Sequence, residues 1–290
     1  MKHSASTTAI LISIFVLAQL IGLITLDRYY QYEKDEIIYE QLPLGLERPE
    51  VQEEHSWIYI TLALLFGTML MLGLIRYNMH SMVKLWLFLA VTIALILAFS
   101  AYMPQEIAVI LAISIAFLKI RYQNMYIHNM AEIFMYGGIA VLFHEMLSVT
   151  IAALLLIIIA GYDMFAVWKS KHMVKMANYQ TAHRIFAGAM VAPFEIEKKS
   201  TTRESKKKQH KKVPVAILGG GDIAFPLLFA GAIMKTYSIN AAFIIVICTT
   251  IALTLLFIGA KKGKFYPAIP FLTIGCFVGW GIISIISLFT

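Results

Sequence analysis

The sequence predicts an all-α polytopic membrane protein with about nine transmembrane helices. Three observations carry this. Hydrophobic residues make up 60% of the 290 and charged residues only 14%, far from the balance of a soluble globular chain. The apolar residues gather in many runs of about 20, the length a helix needs to cross a bilayer. The runs are continuous, not the short alternating segments of a β-barrel, and lipid-exposed backbone must bond to itself, which favours helices.

The spans read in order are Thr7–Leu26, Trp57–Ile75, Leu85–Tyr102, Ile107–Leu118, Ala131–Phe143, Leu147–Trp168, Val213–Met234, Ile239–Ile258 and Pro267–Phe289. The first is about twice the apolar length of a signal peptide. It is followed by Asp27-Arg28-Tyr29-Tyr30 with no small-residue cleavage site, so it reads as an anchor. The fourth and fifth are short. Glu132, near the start of the fifth, reads as a span edge, with a bundle-facing role as the other reading. An eight-span reading would merge or drop one of these two.

Basic residues are segregated. Lys2, Arg76, Lys84, Lys119, Arg121, the twelve bases from Lys169 to Lys212, and Lys261, Lys262 and Lys264 fall on one side when nine spans alternate. The positive-inside rule makes that side cytoplasmic. The opposite side holds Asp27–Glu54, with nine acids against Arg28, Lys34 and Arg48. The N-terminus is therefore expected in the cytoplasm and the C-terminus outside. The net charge of +7 is a topology signal, and nucleic acid is not an expected partner. Three parts follow: a six-span bundle over 1–168, a basic cytoplasmic loop over 169–212, and a three-span bundle over 213–290. The loop's end, Glu197–Lys212, reads EKKSTTRESKKKQHKK and is too polar to fold alone. It is a solvated segment or a contact for anionic lipid. Tyr179–Phe194 is more apolar and is expected on the membrane surface.

Two aspartates interrupt the apolar runs: Asp163 in the sixth span and Asp222 in the seventh. A carboxylate at such depth costs at least about 2.5–3.5 kcal/mol, so a function is expected of it. Asp163 lies six residues before Lys169 and Asp222 ten after Lys212. At helical rise these are depths of roughly 9 and 15 Å from the same edge, so antiparallel neighbours could hold the pair face to face. Gly219, Gly220 and Gly221 precede Asp222, and Pro226 follows it. Ordinary small-residue packing is one reading. The aspartate favours another, a locally loosened helix open to water and substrate. The ninth span begins Tyr266-Pro267-Ala268-Ile269-Pro270. Extended backbone at the membrane edge and a helix start with proline in its first turn are both compatible with it.

Together, Tyr162-Asp163, Gly219-Gly220-Gly221-Asp222 and Pro267-Ala268-Ile269 resemble the motifs of the presenilin and signal peptide peptidase family of intramembrane aspartyl proteases. The family pattern is Tyr-Asp, Gly-x-Gly-Asp and Pro-Ala-Leu in the sixth, seventh and ninth spans. Ile269 departs from it conservatively. Pro270 resembles the presenilin branch and Pro226 the signal peptide peptidases, while the short, lysine-rich chain resembles an archaeal homologue in a cell membrane.

The resemblance implies an endopeptidase that cuts peptide bonds within transmembrane segments, with Asp163 and Asp222 catalytic and no metal or other cofactor. Two close like charges share one proton. The ionised carboxylate takes a proton from water while the protonated one polarises the scissile carbonyl. Tyr162, the three glycines and Pro267-Ala268-Ile269 are then expected to line the substrate cleft, the last segment binding unwound substrate by strand-like hydrogen bonds. Related presenilins are cut in the long loop, which places an expected cut between Tyr179 and Lys212. Substrate membrane proteins and lipid are the implied partners, and a homo-oligomer is left open.

The rival from another class is an ion or solute transporter or channel, which also uses intramembrane carboxylates and interrupted spans. No internal repeat relates spans six and seven. A prepilin-peptidase-like enzyme shares Gly-x-Gly-Asp but not the order of the motifs. Cys248 and Cys276 read as packing residues, and His172, His183 and His210 lack metal-ligand spacing.

Overall fold

In a computed structural model, residues 4–33, 36–39, 41–47, 55–77, 79–122, 124–170, 188–191, 216–260 and 266–289 are described. Nine α-helices run through them: α1 Ala5–Asp27, α2 Ser56–Arg76, α3 His80–Ser100, α4 Gln105–Tyr122, α5 Met125–Phe143, α6 Val149–Met164, α7 Gly220–Thr236, α8 Ile239–Gly259 and α9 Ile269–Ile286. Each corresponds to one expected span. Polar residues set several of the starts, because a side-chain oxygen can accept from an orphan N–H of the first turn. Ser4, Asn124, Ser148 and Ser238 cap α1, α5, α6 and α8 in this way.

Six helices are long and apolar enough to cross a membrane: α1, α2, α3, α6 with its extension to Lys169, α8 and α9. Of the other three, α4 carries Lys119, α5 Glu132 and α7 Asp222, while Asp163 lies on α6 and Gln19 on α1. At the centre, α1 packs on α5, α7 and α8. Small residues let these helices approach. A Cβ on Gly137 of α5 would lie 3.3 Å from the Gly22 Cα of α1. Gly275 and Gly279, four apart on α9, are pressed against Cys248 and Ile245 of α8. At the periphery α2 packs mainly on α3 and α6, with Phe66 and Met69 exposed as expected of lipid-facing side chains.

Two short two-stranded sheets depart from the all-helical expectation. Strands β1 (Tyr30–Glu33) and β2 (Glu36–Tyr39) pair antiparallel after α1. Strands β3 (Gly188–Val191) and β4 (Ala216–Gly219) pair antiparallel with Gly188 opposite Gly219 and Val191 opposite Ala216. The seventh span is therefore not one helix throughout: its described part is a strand over Ala216–Gly219 and helix only from Gly220. Four residues of Tyr179–Phe194 form β3 rather than a surface-lying segment, and Ala189 and Val191 are buried. The rest of that stretch, the expected loop cut, Glu197–Lys212 and the loop histidines lie outside the described residues.

Glu132 and Lys119 also differ from their expected places. Glu132 is two turns inside α5 and fully buried, not at a span edge. Lys119 is in the last turn of α4 with its side chain inside the bundle, not in a cytoplasmic loop. Its ammonium pairs with Glu132 Oε1, and the Tyr136 hydroxyl donates to Glu132 Oε2. Lys119 shares a face with Ala108, Ala112 and Ala116, the buried small stripe that turns α4 towards its neighbours.

Candidate active site

Three changes of backbone geometry converge on the aspartates. Asp163 lies in the last turn of α6, which then widens into a π-helical turn over Phe165–Ser170. Asp222 is the third residue of α7, immediately after β4. Ile269 is the first residue of α9. The three helices pack on one another in pairs.

Helix starts leave N–H groups without intrahelical partners, and here they hold the carboxylates. The Gly219 N–H donates to Asp222 Oδ2 at 3.2 Å, the half of a capping box that the third residue supplies. The Ile269 N–H donates to Asp163 Oδ2 at 3.3 Å. Ile269 also ties the two sides together, because its Cδ1 lies 3.7 Å from where a Cβ on Gly221 would stand. The carboxylates themselves are within electrostatic reach of each other. Asp163 is 3% exposed, while Asp222 is only partly covered.

The glycines act by space rather than by unusual backbone. Gly219 has φ −64° and ψ 147°, open to any residue, but a Cβ there would stand 3.1 Å from Asp222 Oδ2. A Cβ on Gly221 would stand 3.2 Å from the Phe225 ring. Asp222 is thus at a helix start, not within a loosened helix, and a depth counted at helical rise does not apply to it. Pro226 removes one N–H from the second turn of α7. Of the ninth-span alternatives, the helix start is what forms: Ala268 is the N-cap, with φ −87° and ψ −32°, and Pro270 lies in the first turn. Pro267, Ala268 and Ile269 are buried, so that segment offers no extended edge. Tyr162 is half-buried beside Asp163.

One contributor escaped the sequence reading. Gln19 of α1 is fully buried, and its Nε2 donates to the Ile223 carbonyl at 2.8 Å, one residue beyond Asp222. A lone amide in the apolar run LISIFVLAQLIGLITL was the available signal. Among the described residues, no group of three His, Cys, Asp or Glu is arranged to hold a metal.

The model of one protein family, signal-peptide peptidase and presenilin aspartyl protease, matches residues 10–288. Two solved structures are similar, each described as a presenilin family intramembrane aspartate protease. The one in space group C222 shares 17% identity at a TM-score of 0.58, covering 94% of this chain and 94% of its own. The one in space group P2 shares 18% at 0.63, covering 95% and 96%. At such identities they show a shared fold. No curated protein matches the sequence.

Proposed function

The chain belongs to the signal-peptide peptidase and presenilin aspartyl protease family, and from that premise we propose that Asp163 and Asp222 are its catalytic pair. It is a multi-pass integral membrane protein and an intramembrane aspartyl endopeptidase. Family membership does not favour the transporter or channel reading. The observation that carries the assignment is the symmetry of the pair: each carboxylate accepts from a backbone N–H at Oδ2, and no bond engages its other oxygen among the described residues, which suits that oxygen to the chemistry.

The pair holds one proton between two like charges. The ionised carboxylate takes a proton from water as its oxygen attacks the scissile carbonyl carbon. The protonated carboxylate gives its proton to the carbonyl oxygen, so a neutral diol forms. Collapse of the diol breaks the C–N bond, and a proton passes to the leaving nitrogen. The pair titrates as a unit, so the two roles belong to the pair and not to one residue each.

A helical substrate keeps its carbonyls bonded and must be unwound first. Strand β4 supports a place for the unwound segment. The Met190 backbone N–H and C=O turn away from β4, so those of its opposite residue, Ile217, face the other edge of the sheet. Substrate added there as a strand would run alongside the start of α7 and Asp222. Tyr162, Gly219–Gly221 and Pro267–Ile269 then flank the cleft. Charge segregation supports a cytoplasmic N-terminus and an external C-terminus, and the basic loop supports contact with anionic lipid. The short lysine-rich form supports an archaeal cell membrane as the location.

The test is cleavage of a single-span substrate by the reconstituted protein beside Asp163→Asn, Asp222→Asn and Ile217→Pro. Both asparagine variants should lose about 10²–10⁴-fold or more in rate, and parent-like cleavage by either would remove the dyad. Ile217→Pro deletes one edge donor, and parent-like kinetics from it would remove the strand-docking step.

A further inference from the structure

Among the described residues the β3–β4 sheet has two strands, and an isolated pair of that size is marginal. Its far edge is nevertheless closed by side chains. Asn129 of α5 donates from Nδ2 to the Met190 carbonyl at 2.7 Å and accepts at Oδ1 from the Met190 N–H at 3.0 Å. One amide thus meets one β3 residue with a donor and an acceptor, as a neighbouring strand would. The adjacent His128 places Nε2 2.7 Å from the Gly188 carbonyl. A carbonyl only accepts, so Nε2 carries the proton there. His128 also stands beside a fixed group: Nε2 lies 3.8 Å from Glu132 Oε1, one turn along α5, and Glu132 is held by Lys119 and Tyr136.

We propose that His128 and Asn129 are positioning residues for the hydrolysis, serving as a built third edge that fixes β3–β4 and, through Gly219, the carboxylate of Asp222. The path is continuous in space. Asn129 grips Met190, Met190 lies opposite Ile217, and two residues on Gly219 donates to Asp222 Oδ2. The clamp therefore sets the register of the strand beside the substrate and the position of one catalytic oxygen together. The inference rests on Asp222 being catalytic, and its test has a readout that needs no catalysis.

That readout is amide hydrogen exchange on the full-length protein, comparing the parent with Asn129→Leu, which keeps the volume and removes both bonds. The amides of Gly188–Val191 and Ala216–Asp222 should lose protection by about tenfold, the scale of one backbone-type hydrogen bond. Those of α3 and α8 should not change. On a single-span substrate kcat should fall by about tenfold with KM held within about twofold. Cleavage should spread to neighbouring peptide bonds. Asn129→Gln, which keeps both amide functions, should recover part of the rate and the parent cleavage position. Should Asn129→Leu fail to accumulate, Asn129→Asp is read in the same way, since it loses the donor to the Met190 carbonyl. Parent-like protection in both segments overturns the proposal, as does lost protection with unchanged kcat and cleavage position. Parent-like cleavage by Asp222→Asn overturns the dyad instead, and leaves the exchange result to decide the clamp.

Discussion

Lys119→Met should destabilise the protein far more than the double variant Lys119→Met/Glu132→Gln. The Lys119 ammonium and the Glu132 carboxylate form an ion pair whose side chains are 2% and 0% exposed. Methionine replaces much of the lysine stem, so little packing is lost and the charge is what changes. Breaking a buried pair from one side costs about 3–5 kcal/mol, because the remaining charge is left without its partner. Glu132 would keep the Tyr136 hydroxyl and the His128 ring nearby, which sets the expectation at the low end, about 3 kcal/mol. Glu132→Gln alone leaves a buried ammonium and should cost a similar amount. In the double variant both charges are gone and Tyr136 still has an amide oxygen to donate to, so the cost should fall to about 1–2 kcal/mol. The assay is unfolding by SDS in mixed micelles, followed by tryptophan fluorescence for all four proteins. Single costs that simply add in the double variant would refute the reasoning, because additivity means the groups do not interact.

Two further outcomes follow from the packing and the site. Gly138→Ala should lower the unfolding free energy by about 1–3 kcal/mol, because a Cβ there would stand 2.7 Å from the Ala94 carbonyl carbon and closer still to its oxygen, forcing α3 and α5 apart; an unchanged midpoint in the same SDS assay would contradict that contact. Asp163→Ala and Asp163→Asn should both be inactive but differ in stability, the alanine variant being worse by about 1–3 kcal/mol because only asparagine can still accept from the Ile269 N–H. Equal midpoints for the two would mean that this hydrogen bond does not hold the start of α9.

The helices were legible because lipid imposes length and continuity, and each expected span contains one helix. Where the reading failed, backbone geometry had changed inside an apolar run. Val213–Met234 is apolar enough for one helix, yet Ala216–Gly219 pairs with β3 as a strand, a choice made by a partner some thirty residues away. Periodicity cannot report such a partner in so short a run. The direction of Lys119 was readable in principle. Ala108, Ala112 and Ala116 mark a small face on α4, and Lys119 continues it. Counting it with the loop bases treated a buried group as a topology signal. The aspartates were legible because charge in an apolar span is expensive, whereas the donors that hold them, Gly219 and Ile269, act through backbone N–H groups that no residue type announces.

Among the described residues three carboxylates, Glu132, Asp163 and Asp222, lie inside the bundle, and their hydrogen bonds separate them by role. An ionised carboxylate offers about four acceptor sites. Glu132 engages both oxygens, one with Lys119 and the other with Tyr136, and its charge is neutralised at contact. Both its oxygens face a fixed partner and the residue is fully buried, so water has no approach to it, and it is suited to holding α4 and α5 together. Asp163 and Asp222 each engage Oδ2 alone, each with one backbone N–H, and no cation pairs with either among the described residues. A single donor fixes the orientation of a carboxylate while leaving its second oxygen able to gain and lose a proton. In lipid that is costly unless the unsatisfied capacity is used. Burial alone would have ranked Glu132 first. The number of bonds each carboxylate has already made ranks it last, which supports the proposed pair on the packed helices α6 and α7.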